Sequence, residues 1–172
     1  WVNSKKRPIL SNDIVKSYIF PRIEMDEKVC LIVVDCMRFD HLKVLIPYIE
    51  PLFDIEINYA LSLLPTATAY SRNAIFSGLF PDELVQKYPK QKNDMKNDTS
   101  SLNKYESQFF EDQLIRSGFK DKSIHYHKIW AVEEGNKLAS RFKDFVKKDI
   151  ISLVVNFVDI LAHKSSQTDV LK

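Results

Sequence analysis

An α/β fold with a largely parallel sheet is the architecture this sequence points to, and three observations carry that expectation. Val29 to Val34 is a continuous β-branched and apolar run of strand length, and Ile151 to Phe157 is a second apolar strand that resembles it in ending at an aspartate, Asp35 after the first and Asp159 after the second. Segments with helical spacing of apolar residues separate such runs along the chain. The chain is 172 residues long, 45% hydrophobic and 28% charged, which is enough apolar surface for the core of one ordinary domain.

The elements follow in order. Residues 1–20 read as a loose arm and a short helix, in which Ser11-Asn12-Asp13 caps the pattern Ile14, Val15, Tyr18, Ile19 and Pro21 stops it. Val29 to Val34 reads as a strand buried on both faces, with Cys30 and Cys36 in or beside it as reduced thiols. His41 to Leu52 has helical spacing, with Pro47 at a kink or a break, and Ile55 to Leu61 alternates as a second strand. Pro65-Thr66-Ala67-Thr68 turns the chain into a helix over Ala69 to Ser77, which Gly78 closes.

Lys87 to Lys104 is rich in Lys, Asn, Asp and Ser, the composition of a solvated surface loop. A helix carrying Phe109, Leu114 and Ile115 ends at Gly118, and Ser123 to Ile129 alternates as a strand. Asn136 to Lys147 reads as an amphipathic helix with Leu138, Phe142, Phe145 and Val146 inward and lysines outward, before the last strand, Ile151 to Phe157.

Composition excludes several sites. The three glycines, Gly78, Gly118 and Gly135, are too few and too scattered to write a Gly-rich phosphate loop, a dinucleotide turn or a nucleophile elbow. Two cysteines cannot build a Cys-rich zinc cage or a disulfide framework, which fits a cytoplasmic protein. No apolar run reaches membrane-span length, and a net charge of +2 gives no electrostatic argument for nucleic acid or lipid. The start at Trp1 without an apolar signal core reads as a piece of a longer protein.

Ligands of open parallel sheets collect at the carboxyl ends of strands. Three segments bring chemistry there: Asp35, the pair Thr66 and Thr68, and Asp159 with His163. A threonine at a helix start meets unpaired N–H groups and the positive end of the dipole, an anion site that needs no glycine. Carboxylates and a histidine nearby suit divalent ions, and the combination suggests metal-assisted phosphoryl transfer with Thr68 as nucleophile.

The segments Val34 to Asp40 (VDCMRFD), Leu64 to Pro81 (LPTATAYSRNAIFSGLFP) and Asn156 to His163 (NFVDILAH) resemble PglZ-type domains of the alkaline phosphatase superfamily, including the output domain of PorX-type response regulators linked to type IX secretion. The likeness runs from about Pro21 to the end. It implies a three-layer α/β/α fold whose C-terminal part is missing, with a domain over 21–172. It also implies two zinc ions in the complete domain, Asp35 and Thr68 ligating the first and Asp159 and His163 the second. Arg72 and Asn73 would contact substrate phosphate. Further superfamily ligands come later than the Asp-x-x-x-His pair, and the chain stops nine residues after His163, so a partial site is expected.

Other readings stand beside these. Asp35 can be a helix cap, Thr66 and Thr68 can both be caps, with Thr66 kept as the structural one and Thr68 as the nucleophile, and Asp159 with His163 can be a solvated pair. His125 and His127 share a strand face and suit a metal or simple packing, and Lys143 to Lys148 reads as the wet face of a helix.

The leading function is a zinc-dependent phosphodiesterase or phosphatase acting on nucleotide or oligonucleotide diesters as the output domain of a two-component regulator. Signalling or secretion proteins are implied partners, and a homodimer of the full-length protein is left open. The runner-up is a non-catalytic regulatory module that binds a phosphate-bearing ligand or a protein partner. A scaffold with a dead site is the third reading.

Overall fold

The computed structural model of the chain describes residues 6–91 and 103–168, with the side chains of the last helix described as far as His163. Two compact units are formed, one from the residues up to Val29 with Tyr59–Ser123, the other from Cys30–Asn58 with the residues from Ile124 onward. Most of the polar loop expected over 87–104 lies outside the described residues, and its start is helical at 89–91.

The first unit opens with a 3-10 turn, Ser11–Asp13, a π-helical turn, Val15–Ile19, and helix α1, Phe20–Glu24. Asp13 starts this run: its carboxylate accepts the Leu10 N–H at 2.9 Å and holds the Arg7 guanidinium. Arg7 and the Leu10 N–H together keep that carboxyl below the usual carboxylate range, the Arg7 hydrogen bond being the largest cause. Contrary to expectation, Pro21 does not end the helix. It sits at the first positions of α1, where no N–H is needed, and the wider turn before it, closed by Phe20 N–H to Val15 O, lets the chain wind on.

Helices α3, Thr68–Ser77, α4, Pro81–Lys87, and α5, Glu106–Arg116, supply the core of this unit. Phe76 meets Phe110 edge to face at 5.8 Å, and Tyr88 meets Phe109 at 4.8 Å. Gly78 closes α3 at φ +66, as expected, and a Cβ there would run into the Gln113 amide. Arg116 reaches back to the Ser77 carbonyl and to the Tyr88 hydroxyl at 3.2 Å, fastening the end of α3 to α5. Tyr88 in turn donates to Asp112 at 2.8 Å, and burial first, then Asp112, pushes its hydroxyl up to about 12.

The second unit is built on three strands, β1, Val29–Val34, β2, Ile124–Ile129, and β3, Ile150–Val155, in the order β1-β3-β2. β2 and β3 run parallel with Ile124 opposite Ile150 and Ile129 opposite Val155. The mixed helix and strand content and the parallel sheet agree with the α/β expectation. β3 is central and buried almost throughout. β1 is an edge strand in which Cys30 and Ile32 are exposed and the other residues are half-buried, so the expectation of a strand buried on both faces fails.

Helix α2, Phe39–Ile49, runs on through Pro47 without a break. The helix expected over Asn136 to Lys147 is two pieces, α6, Val132–Ser140, and α7, Phe142–Phe145. Arg141 N–H bonds both the Lys137 and Leu138 carbonyls and closes α6, so the residues after it leave the original phase. Leu138 and Phe145 join Ile129, Ile151, Leu153, Val155 and Phe157 in the core, whereas Phe142 and Val146 are exposed.

The alternating run Ile55 to Leu61 forms no ladder. Its residues are exposed, and among the described residues its one strand-type pairing is the isolated bridge of Leu61 to Leu10. The last helix, α8, is Phe157–Thr168, and no helix among the described residues is long and apolar enough to cross a membrane.

Candidate active site

The carboxyl ends of the three strands are tied together. Asp35 N–H donates to the Val155 carbonyl at 3.0 Å, and Asn156 N–H donates to the Ile129 carbonyl at 2.8 Å. Asp35 therefore leaves the sheet at the edge where ligands of parallel sheets collect. Its Oδ1 accepts the Cys36 N–H at 3.1 Å, and Cys36 is held at φ +60. A left-handed non-glycine costs about 1–3 kcal/mol and persists only where its surroundings impose it. Asp35 is not the cap of α2: that position is Arg38, whose N–H points to His41 Nδ1 at 3.4 Å.

α8 leaves the same edge after β3 and sets Asp159 and His163 one turn apart, with His163 Nε2 3.4 Å from Asp159 Oδ1. The His163 side chain is 79% exposed and that of Asp159 32%. A carboxylate and an imidazole are zinc donors and fill two of the four positions of a tetrahedral site. Among the described residues no group of three His, Cys, Asp or Glu side chains converges as a metal cage.

In the first unit Thr68 is the first residue of α3 and is half-buried. The cap is Ala67, whose carbonyl accepts the N–H of Tyr70 at 2.9 Å and of Ser71 at 3.1 Å. Thr66 thus does not cap the helix; the helix begins one residue too late, and the Thr66 carbonyl instead accepts the Ser71 hydroxyl at 3.3 Å. Helical geometry leaves the N–H groups of Thr68 and Ala69 without an acceptor inside α3.

Arg72 and Asn73 follow one turn later and both are buried. The Arg72 guanidinium, expected to reach substrate phosphate, is held by the fully buried Glu106 of α5. Asn73 turns its amide back to the Ala69 carbonyl at 2.8 Å. Glu106 was not singled out in the sequence, although the signal is there: it shares a helical stripe with Phe109, Phe110 and Gln113, a charge on an apolar face.

His125 and His127 do share a face of β2, with rings nearly parallel at 6.2 Å. His125 stacks on Phe145 at 3.9 Å, and its Nε2 is buried without a hydrogen-bond partner. Burial, with smaller contributions from His127 and Lys148, pulls its pKa down. Packing is what the structure shows for it.

The sequence model of the family described as the BREX system PglZ alkaline phosphatase-like domain matches residues 14–171. No curated protein matches the chain.

Proposed function

The chain belongs to the PglZ family of alkaline phosphatase-like domains, and from that premise we propose that it is a metal-dependent phosphoric ester hydrolase with Thr68 as nucleophile and nucleotide-type phosphodiesters as substrates. The observation that carries this reading is the exposed edge of the sheet, where Asp35 sits in a strained turn and Asp159 faces His163 at 3.4 Å. Strain beside a carboxylate at a ligand-binding edge is what a working site retains and a plain surface loses.

Asp35, Asp159 and His163 are the residues of this chain that would hold zinc, with the donor types zinc prefers. Zinc, when bound, supplies Lewis acidity to the phosphoryl oxygens and to the attacking hydroxyl. Thr68 Oγ1 forms a bond to phosphorus as the bond to one ester oxygen breaks. The hydroxyl proton ends on the departing alcohol, and water then cleaves the phosphothreonine to regenerate Thr68. The open N–H groups at the start of α3 favour the extra negative charge on phosphorus. Arg72, fixed by Glu106, acts in this scheme by holding α3 in place.

Zinc-supplied hydrolysis of bis-p-nitrophenyl phosphate tests the reading. Thr68→Ala is expected to lower turnover on the order of a thousandfold or more. Unchanged turnover overturns the nucleophile assignment.

A further inference from the structure

We infer that the cleft between β2, α6 and α7 is a second binding site, for a planar ring that carries an anionic group, the chemistry of a nucleoside monophosphate. The cleft has a volume of about 610 Å³, inside the roughly 300–1,000 Å³ range of small-ligand pockets. It contains none of the residues assigned to hydrolysis.

Its lining is chemically one-sided. Lys128, Lys137 and Arg141 bring three cations against one carboxylate, Glu134. That carboxylate is occupied, since Glu134 Oε2 accepts the Trp130 N–H at 2.7 Å, so a cationic guest finds no free acid. Lys137 has no ion pair among the described residues, and Arg141 shares only its Nε with Asp144, at 3.2 Å in an exposed pair worth little. An anion is the guest these charges select.

The ring component comes from Trp130, which is 52% exposed although an indole is among the side chains with most to gain from burial. Lys128 Nζ stands 6.0 Å from its ring centre, at the limit of a cation–π contact, and Phe145 adds an apolar wall. An exposed ring flanked by cations is the platform on which nucleobases stack while their phosphates are neutralised. A simple inorganic anion would leave the indole unused.

The test is calorimetric titration of the 172-residue chain with 5′-AMP and, separately, with inorganic phosphate. One equivalent of 5′-AMP is expected to bind, at least tenfold more tightly than phosphate. Trp130→Ala should weaken 5′-AMP at least about fivefold, with Trp130→Phe restoring most of the affinity. Lys137→Ala with Arg141→Ala should weaken it about tenfold and flatten its salt dependence. These three positions are exposed, so the variants are expected to fold, and circular dichroism checks that.

No binding of 5′-AMP, equal affinity for phosphate, or affinity unchanged in the variants overturns the proposal. Binding that depends on Trp130, together with Thr68→Ala turnover equal to the unaltered protein's, sinks the nucleophile assignment and keeps this site. Hydrolysis that depends on Thr68, without such binding, does the reverse.

Discussion

Helices α5 and α2 are each eleven residues long and each carries an apolar stripe, yet one buries its stripe and the other does not. Phe109, Phe110 and Leu114 of α5 are 0–1% exposed, whereas Phe39, Val44, Leu45 and Tyr48 of α2 are 44–76% exposed and no residue of α2 is buried. The difference lies in the neighbours. α5 packs on α3, whose Phe76 and Arg72 meet its Phe110 and Glu106. Periodicity records that a helix face is apolar; burial depends on a second surface that the periodicity does not contain.

The sharpest way to break this comparison is at the ion pair. Arg72→Leu leaves the Glu106 carboxylate buried without its guanidinium and should destabilise the protein by about 3–5 kcal/mol in urea unfolding. Adding Glu106→Leu should recover most of that loss. A single variant as stable as the parent would show that the α3–α5 contact does not hold the first unit together.

Next comes truncation on both helices. Phe110→Ala should cost about 3–5 kcal/mol, because the cavity it leaves is enclosed. Val44→Ala on α2, 68% exposed, should stay within about 0.5 kcal/mol. Equal costs in denaturant unfolding would mean that α2 is covered as α5 is.

The smallest effects are in pH, and they lie at opposite ends for the two units. Tyr88 in the first unit has its pKa raised to about 12, so the stability it contributes is present below the unfolded value near 10 and is lost as pH rises through 12. His125 in the second has its pKa lowered, so its contribution is present above the unfolded value near 6.5 and is lost as pH falls below it. Thermal unfolding of Tyr88→Phe should lose the alkaline slope, and that of His125→Phe the acid one. Slopes that persist in both variants would remove these groups as the titrating sites.

Much of the fold was legible because its signals are local. β3 and β2 followed from apolar runs and alternation, and α3 with its Gly78 terminus from a turn, a helical pattern and a residue that tolerates positive φ. The spacing of Asp159 and His163 placed them on one helical face, as found. Pro21 misled because it is judged by the helix before it, and its place at the start of the next depends on a π-helical turn.

Sequence alone determined which residues have strand or helix character, where Gly78 ends a helix, and that three segments carry aspartate, threonine and histidine to strand ends or a helix start. Those properties are set by backbone preference and side-chain period within a few residues. Tertiary structure alone decided that β1 is an edge, that Ile55 to Leu61 enters no strand ladder beyond its bridge to Leu10, that Glu106 takes the Arg72 guanidinium, and that Trp130, Lys137 and Arg141 line one cleft. Each of these depends on which groups become neighbours after burial. A ladder between strands, or an ion pair between two helices such as Arg72 and Glu106, has no existence in one segment, because its energy arises from a second surface supplied from elsewhere in the chain.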